Sequence, residues 1–481
     1  MAGMMHVASN EALDAGGPAE KVNMAFVLGI VAVATIGGFM FGYDSGVING
    51  TQQGLEQAFH LSKQALGFNV GAILIGCAVG AFAAGRLADV FGRRSVMIVA
   101  AGLFIISALV AGAAGSSAIF IAARFIGGLG VGAASVLAPV YISEVTPASI
   151  RGRLSSVQQI MIITGLTAAF LVNYLLSKWA GGSTATLLGH PAWRWMFWVQ
   201  VIPAGVFLLS LLTIPESPRF LVAKGRDSEA EGVLARLLGA EAAPRKVADI
   251  RGSLANDHHR PKLSDLFDKA TGKVRPIVWV GLGLAIFQQL VGINVVFYYG
   301  AVLWQSVGFS ENDALQINIL SGALSILACF AAVGLIDKIG RKPLLLIGSA
   351  GMTITLGLVA FAFSTASMVN GQVQLPHAMG LLALISANAY VVAFNLSWGP
   401  VMWVMLGEMF PNQIRGSGLA VAGGAQWIAN LLITVSFPVM QASLGLVVTY
   451  GFYALSAFIS LIFVRALIHE TRGRELEEMV G

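Results

Sequence analysis

The sequence predicts an all-α membrane protein of twelve transmembrane helices, laid out as two six-helix bundles, and three observations predict it. The first is composition: of 481 residues, 56% are hydrophobic and only 11% charged, with a mean hydropathy of +0.78. Soluble domains carry about 25% charged residues, so most of this surface must face lipid. The second is spacing. Apolar runs of the roughly 20 residues that cross a bilayer fall near 24–48, 65–88, 95–115, 118–142, 154–177 and 193–214, and again near 276–305, 314–336, 343–366, 378–407, 417–440 and 445–468. The third is repetition. Asp89-Val-Phe-Gly92-Arg93-Arg94 returns 248 residues later as Asp337-Lys-Ile-Gly340-Arg341-Lys342. Glu144-Val-Thr-Pro147-x-x-x-Arg151-Gly152 returns 264 residues later as Glu408-Met-Phe-Pro411-x-x-x-Arg415-Gly416. Two related halves with charged turns between long apolar runs are the layout of a transporter with a central site.

The pI of about 9.2 invites a nucleic-acid partner, but the placement of the basic residues excludes one. Of the 29 Lys and Arg, 25 fall in alternate connections and the two tails, three (Lys63, Lys178, Arg194) on the opposite side, and one (Arg124) inside a span. That bias is the positive-inside rule, and it predicts that both termini are cytoplasmic. The chain then divides into a tail (1–23), a first bundle (24–214), a linker (215–274), a second bundle (275–468) and a second tail (469–481). Residues 1–23 lack the apolar core of a signal peptide and read as a short disordered tail. Cys77 and Cys329 sit in apolar runs and read as packing residues rather than a disulfide. No nucleophile–base pair or metal-ligand spacing stands out, so neither an enzyme, a metal nor a cofactor is expected.

Taken in chain order, span one carries Phe41-Gly-Tyr-Asp44 and ends near Asn49-Gly-Thr51, a weak match to a glycosylation acceptor that hugs the membrane. Asp44 and Arg124 in span four are the two ionisable side chains firmly within apolar runs. At about 1.5 Å per residue both lie at similar depth, roughly 7–10 Å from the outer span ends, so they are expected to pair. Two readings stay open. A carboxylate whose proton affinity follows conformation can couple proton movement to transport; the alternative is a static ion pair locking two helices, or an Asp44 that reaches interfacial water. Span five adds Gln158, Gln159 and Asn173. In the linker, Asp227 to Leu238 sets Val233, Leu234, Leu237 and Leu238 at helical spacing, predicting a short amphipathic helix on the cytoplasmic face.

Span seven carries a polar cluster, Gln288, Gln289, Asn294 and Tyr298. Gly292 is a place where its helix can break and turn these groups inward. Amides both donate and accept, which suits a neutral, hydroxyl-rich ligand in a protein-lined wet cavity. Packing against other helices is the competing reading. In span ten, Trp403 follows Gly399-Pro400, a pair able to kink the helix and leave the indole free to stack on a ring; anchoring at the interface is the alternative. Span eleven places Gln426 and Asn430 on one helical face beside Trp427.

These residues resemble the sugar porters of the major facilitator superfamily. The resemblance rests on Gly85-Arg86-Leu-Ala-Asp89-x-x-Gly92-Arg93-Arg94, Pro215-Glu-Ser-Pro-Arg-Phe-Leu221, Gln288-Gln289-x-x-Gly292-Ile-Asn294, Asp337-x-x-Gly340-Arg341-Lys342 and Glu470-Thr-Arg-Gly-Arg474, running from about 26 to 478. It implies two bundles rocking around a central sugar site, as in bacterial proton–sugar symporters and animal facilitative glucose carriers. By motif position it implies sugar contacts at Phe41, Gln159, Gln288, Gln289, Asn294, Tyr298, Trp403, Gln426 and Asn430. Asp44 matches a position held by Asp in symporters and by Asn in many animal facilitators, and Arg124 matches its partner; some bacterial facilitators also keep the Asp. The duplicated charges imply a cytoplasmic clamp of Arg86, Asp89, Arg93, Arg94, Glu144, Arg151 and Arg153 against Asp337, Arg341, Glu408 and Arg415, with ion pairs between bundles when the inner side is shut. Basic turns that merely set topology are the plainer reading. Ser325 stands where an Asn often contacts the sugar, and Leu166 where hexose carriers are apolar, which leans towards a hexose such as glucose. The resemblance thus implies a proton-coupled monosaccharide symporter, monomeric, multi-pass and with both termini cytoplasmic, in a bacterial inner membrane. A facilitative uniporter and a non-transporting sugar sensor are the alternatives.

Overall fold

The computed structural model describes residues 22–146, 148–256, 263–268, 272–369, 372–411 and 414–472, with side chains described except at 148–156, 253, 255–256, 263, 372 and 415. The first half comprises α1 (Met24–Gly46), α2 (Gln52–Phe59), α3 (Lys63–Phe91), α4 (Arg93–Ala113), α5 (Ser117–Val145), α6 (Ala148–Ala180), α7 (Ala192–Val199) and α8 (Val201–Leu211). Three linker helices follow: α9 (Pro218–Ala223), α10 (Asp227–Leu238) and α11 (Ala243–Asn256). The second half comprises α12 (Pro276–Leu290), α13 (Ile293–Ser306), α14 (Glu311–Ile339), α15 (Arg341–Ser364), α16 (His377–Leu396), α17 (Trp398–Met409) and α18 (Arg415–Leu467).

The twelve expected spans are recovered with revealing exceptions. α18 holds the last two, joined through Gly445 in a left-handed conformation (φ 80°) that redirects the chain. Span seven is split into α12 and α13 by Gly292, also left-handed at φ 81°, where a Cβ would lie 2.7 Å from the Tyr453 ring. The broken ladder is repaired from a neighbouring helix, because the Tyr390 hydroxyl donates to Val291 O at 2.7 Å. Span ten breaks at Ser397, two residues before the expected Gly399-Pro400 pair. Pro400 has no N–H for the carbonyl of Leu396 and its ring crowds that turn, so its effect falls one turn upstream. The short α2, between spans one and two, has no counterpart in the sequence reading.

The linker sits at one end of the molecule. α10 forms over the expected residues and buries Ala230, Leu234, Leu237 and Leu238. It docks on the first half, with Leu237 O accepting from Asn23 N at 2.9 Å and Arg236 over the Phe26 ring. At the opposite end lie two short antiparallel hairpins, Thr186–Leu187 with His190–Pro191 and Ser367–Val369 with Gln372–Gln374.

Small residues let the site-bearing helices touch backbone to backbone. A Cβ at Gly42 would run into Ile162 O and one at Gly165 into Phe39 O, so α1 and α6 are locked together at the height of Phe41 and Asp44. The halves meet through α3 against α18 and α6 against α14.

Candidate functional site

Asp44 and Arg124 are both 0% exposed, and α1 and α5 bring them together as expected. Arg124 Nη1 donates to Asp44 Oδ1 at 2.6 Å and Nη2 to the Asp44 backbone oxygen at 2.8 Å. The guanidinium also lies 5.6 Å from the centre of the Phe197 ring. The geometry is not a two-pronged carboxylate fork, since one prong goes to the main chain. Among the described residues, Asp44 Oδ2 and Arg124 Nε have no hydrogen-bond partner. Oδ2 is buried beside Gly127, where a Cβ would lie 3.0 Å from it.

The break at Gly292 gathers the amides of span seven into a relay. Asn294 Nδ2 donates to Gln289 Oε1 at 2.6 Å, Gln289 Nε2 to Gln288 Oε1 at 3.2 Å, and Gln288 Nε2 to the Trp398 carbonyl at 3.1 Å, beside the break in span ten. Gln426 Nε2 reaches Gln288 Oε1 at 3.4 Å from α18, and its own Oε1 is unpaired among the described residues. Asn430, one turn along, accepts from Thr434 Oγ1 at 3.2 Å, and Tyr298 faces Asn430 and Ser45. Phe41 meets Trp427 across the boundary between halves, ring centres 6.0 Å apart. Gln159 is half-buried on α6. Its neighbour Gln158 is buried against Gly38 of α1, with both ends of its amide unpaired among the described residues.

Asn173 and Ser325 are engaged in packing between helices, while Trp403 keeps an exposed face. Trp403 is 41% exposed, whereas Trp398 is the indole packed inside, its Nε1 donating to Ser349 Oγ at 2.9 Å. Asn173 is tied to Val47 O at 3.1 Å and serves packing at the hairpin end. Ser325 donates to Ser321 O and accepts from Asn395, so it is consumed between α14 and α16.

At the linker end the duplicated charges form two copies of one cluster. Arg93 reaches Glu144 Oε2 at 3.1 Å and Asp89 Oδ1 at 3.0 Å; Arg341 reaches Glu408 Oε1 at 2.8 Å and Asp337 Oδ1 at 2.9 Å. Gly92 (φ 101°) and Gly340 (φ 103°) give both turns the same backbone. Each following helix is then capped by a carboxylate, which compensates its orphan N–H groups and positive dipole end. Glu216 accepts from Arg93 N at 2.9 Å, and Glu470 from Arg341 N at 3.0 Å. Burial pushes the Glu470 carboxyl up, but backbone N–H bonds from Arg472, Arg341, Lys342 and Thr471 outweigh it and hold its pKa below the usual value. Ser217 and Thr471 complete the match by donating to Glu144 and Glu408.

These described ion pairs each join residues within one half, and the expected pairs between bundles belong to a shut inner side. Arg86 lies over the Phe82 ring, and Arg94 donates to the carbonyls of Leu211 and Leu212. The side chains of Arg151, Arg153 and Arg415 lie outside the described residues. The capping pair was missed in the sequence, although Glu216-Ser217 and Glu470-Thr471 stand 254 residues apart, between the offsets of the other two repeats.

A sequence profile described as "Sugar (and other) transporter" matches residues 30–480. The chain is 48% identical over 459 residues to the glucose transport protein of Synechocystis, covering 95% of this chain and 97% of that one. It is 38% identical to the D-xylose-proton symporter of Escherichia coli, covering 95% and 96%. The partially occluded inward-open structure of the xylose transporter XylE from E. coli superposes with a TM-score of 0.81, at 36% identity over 94% of this chain and 100% of that one.

Proposed function

The chain belongs to the sugar transporter family, and on that premise we propose that it is a proton-coupled monosaccharide symporter working by alternating access. The preferred substrate is a glucose-like hexose, in keeping with the apolar Leu166 and the 48% identity to a glucose transport protein; a pentose is the second choice. The linker end is the cytoplasmic end, where 12 of the 29 basic residues cluster between Arg219 and Arg275. The protein acts as a monomer in a bacterial inner membrane. The described ion pairs there, closed within each half, fit a cavity open to the cytoplasm, as in the inward-open relative.

The observation that carries the coupled reading is Asp44, sealed from water with one oxygen on Arg124 and the other unpaired. When α1 or α5 shifts and the pair parts, neither Asp44 carboxyl oxygen keeps the Arg124 guanidinium as donor, and Asp44 is the group that carries the transported proton in this reading. Phe41 lies three residues away on the same helix, so this movement reaches the sugar pocket through α1. The pocket is made by Gln159, Gln288, Gln289, Asn294, Tyr298, Gln426 and Asn430, with Gln158 and Trp427 added and Trp403 at its exposed edge. Its amides exchange hydrogen bonds with one another until sugar hydroxyls replace them.

The test is sugar uptake into proteoliposomes with and without an imposed pH gradient. Gradient-driven accumulation that Asp44→Asn abolishes, while counterflow exchange survives, is the expected result. A wild type that only equilibrates sugar would instead support facilitation with a static Asp44–Arg124 pair, a reading favoured by the second bond to the Asp44 backbone. Unchanged sugar binding by Gln288→Ala would remove the pocket assignment.

A further inference from the structure

Beside the break in span ten, three buried polar side chains from three helices form a directed chain of hydrogen bonds. The Trp398 indole Nε1 donates to Ser349 Oγ on α15 at 2.9 Å and shares its proton with Leu345 O at 3.2 Å. Ser349 Oγ lies 2.8 Å from Ser460 Oγ on α18. Ser460 gives its single proton to Ala457 O at 2.6 Å, so Ser349 is the donor between the two hydroxyls. Trp398, Ser349 and Ser460 are all buried. Room for the chain depends on Gly348, where a Cβ would run into Ser397 Oγ and lie 3.3 Å from Trp398 Cδ1. A buried polar chain with every member satisfied rigidifies what it holds, and here it holds Trp398. The consequence reaches the pocket through the main chain. Trp398 O accepts from Gln288 Nε2 at 3.1 Å. A carbonyl can only accept, so Gln288 must turn its NH2 towards it and its Oε1 away. That Oε1 then receives Gln289 Nε2 and Gln426 Nε2, and Gln289 Oε1 receives Asn294 Nδ2. One backbone acceptor thereby sets which end of each amide faces its neighbour.

We propose that Trp398, locked by Ser349 and Ser460, is a positioning residue that fixes the donor–acceptor order of the pocket amides and with it the choice among sugar hydroxyls. An amide turned over keeps its shape but exchanges donor for acceptor, so packing alone cannot fix this order. With the order fixed, a sugar lacking the matching hydroxyl leaves a buried amide unpaired and is penalised. Without the lock the Trp398 carbonyl shifts and Gln288 is free to turn over. Its amide then meets the sugar with either end, or pairs elsewhere when the hydroxyl is missing. Affinity and discrimination fall together.

The proposal rests on the sugar reading, and its test separates the two. Dissociation constants for glucose and for each singly deoxygenated glucose are measured by titration calorimetry on the full chain in detergent. The proteins are the wild type, Trp398→Phe, which keeps a ring but removes the N–H, and Ser349→Ala, which removes its acceptor. Glucose binding should weaken about tenfold in Trp398→Phe and about threefold in Ser349→Ala, where Leu345 O still accepts from the indole. In the wild type at least one deoxy sugar should bind about tenfold more weakly than glucose. Both variants should bring that ratio below about twofold at the same ring position and leave the other ratios in place. Ratios that stay as in the wild type, that fall at every position alike, or that fall at different positions in the two variants overturn the proposal. A wild type whose ratios all lie within about twofold has no order to fix and overturns it too. If Trp398→Phe does not fold, Ser349→Ala decides alone. A wild type that binds no monosaccharide overturns the sugar reading and the proposal together, an outcome distinct from all the others.

Discussion

Asp44→Leu should cost about 3–5 kcal/mol of stability, the range for breaking a buried ion pair by removing one partner. Among the described residues Arg124 has two hydrogen bonds, both to Asp44, and the substitution removes the one that carries the counter-charge. What survives is the bond to the Asp44 main-chain oxygen and the face of the Phe197 ring, which offsets no more than about 2 kcal/mol. The guanidinium stays 0% exposed, so water cannot take over. Removing both charges reverses the loss: Asp44→Leu with Arg124→Met should return to the wild-type level or rise above it by about 1–4 kcal/mol. Asp44→Asn should fall between, since an amide oxygen still accepts from Nη1. Thermal melts of these proteins and of Arg124→Met alone, purified in one detergent, close the cycle. An Asp44→Leu protein that melts with wild type would refute the reasoning, because the pair would then be hydrated rather than sealed.

Two further outcomes follow from the same geometry. Gly292→Ala forces a left-handed backbone on a residue with a Cβ, about 1–2 kcal/mol, and drives that Cβ into Tyr453, about 1–3 kcal/mol more; it should lower the melting midpoint, whereas Gly451→Ala, with open space around it, should not. The depressed Glu470 carboxyl contributes stability that is fully present above its unfolded value of 4.5 and is lost as pH falls through the lower folded value. The gap in midpoint between wild type and Glu470→Gln should therefore be constant near neutrality and close as the pH drops below about 4.5; a gap that widens in acid would contradict the capping role.

Much of this was legible because membrane helices leave coarse marks. Apolar runs set the spans, and Gly292 could be read as a break because it stands among amides that gain from turning inward. The Asp44–Arg124 contact was readable from depth alone, since two opposite charges in hydrocarbon have few other solutions. The break at Ser397 was misplaced because proline acts on the carbonyl four residues earlier, an effect spread over a turn. The Glu216 and Glu470 caps escaped notice because Pro215-Glu-Ser and His469-Glu-Thr share one identical residue. What they repeat is a hydrogen-bonding role at a left-handed glycine. Asn49, whose side-chain amide donates to Phe297 O, was illegible in kind. An Asn at the end of a span looks alike whether it faces water or the backbone of a helix 248 residues away, and only the packing of the halves distinguishes them. The pairing of Arg93 and Arg341 within their own halves belongs to one conformation of the cycle, and a sequence encodes all of them at once.

Proton movement evoked by sugar alone tests coupling most directly. Glucose added to a weakly buffered suspension of proteoliposomes, with no imposed gradient, should alkalinise the external medium as protons enter with the sugar. Asp44→Asn should abolish that signal without abolishing exchange of labelled glucose. Glucose that enters with no change in external pH would contradict the account and leave Asp44 and Arg124 as a structural pair.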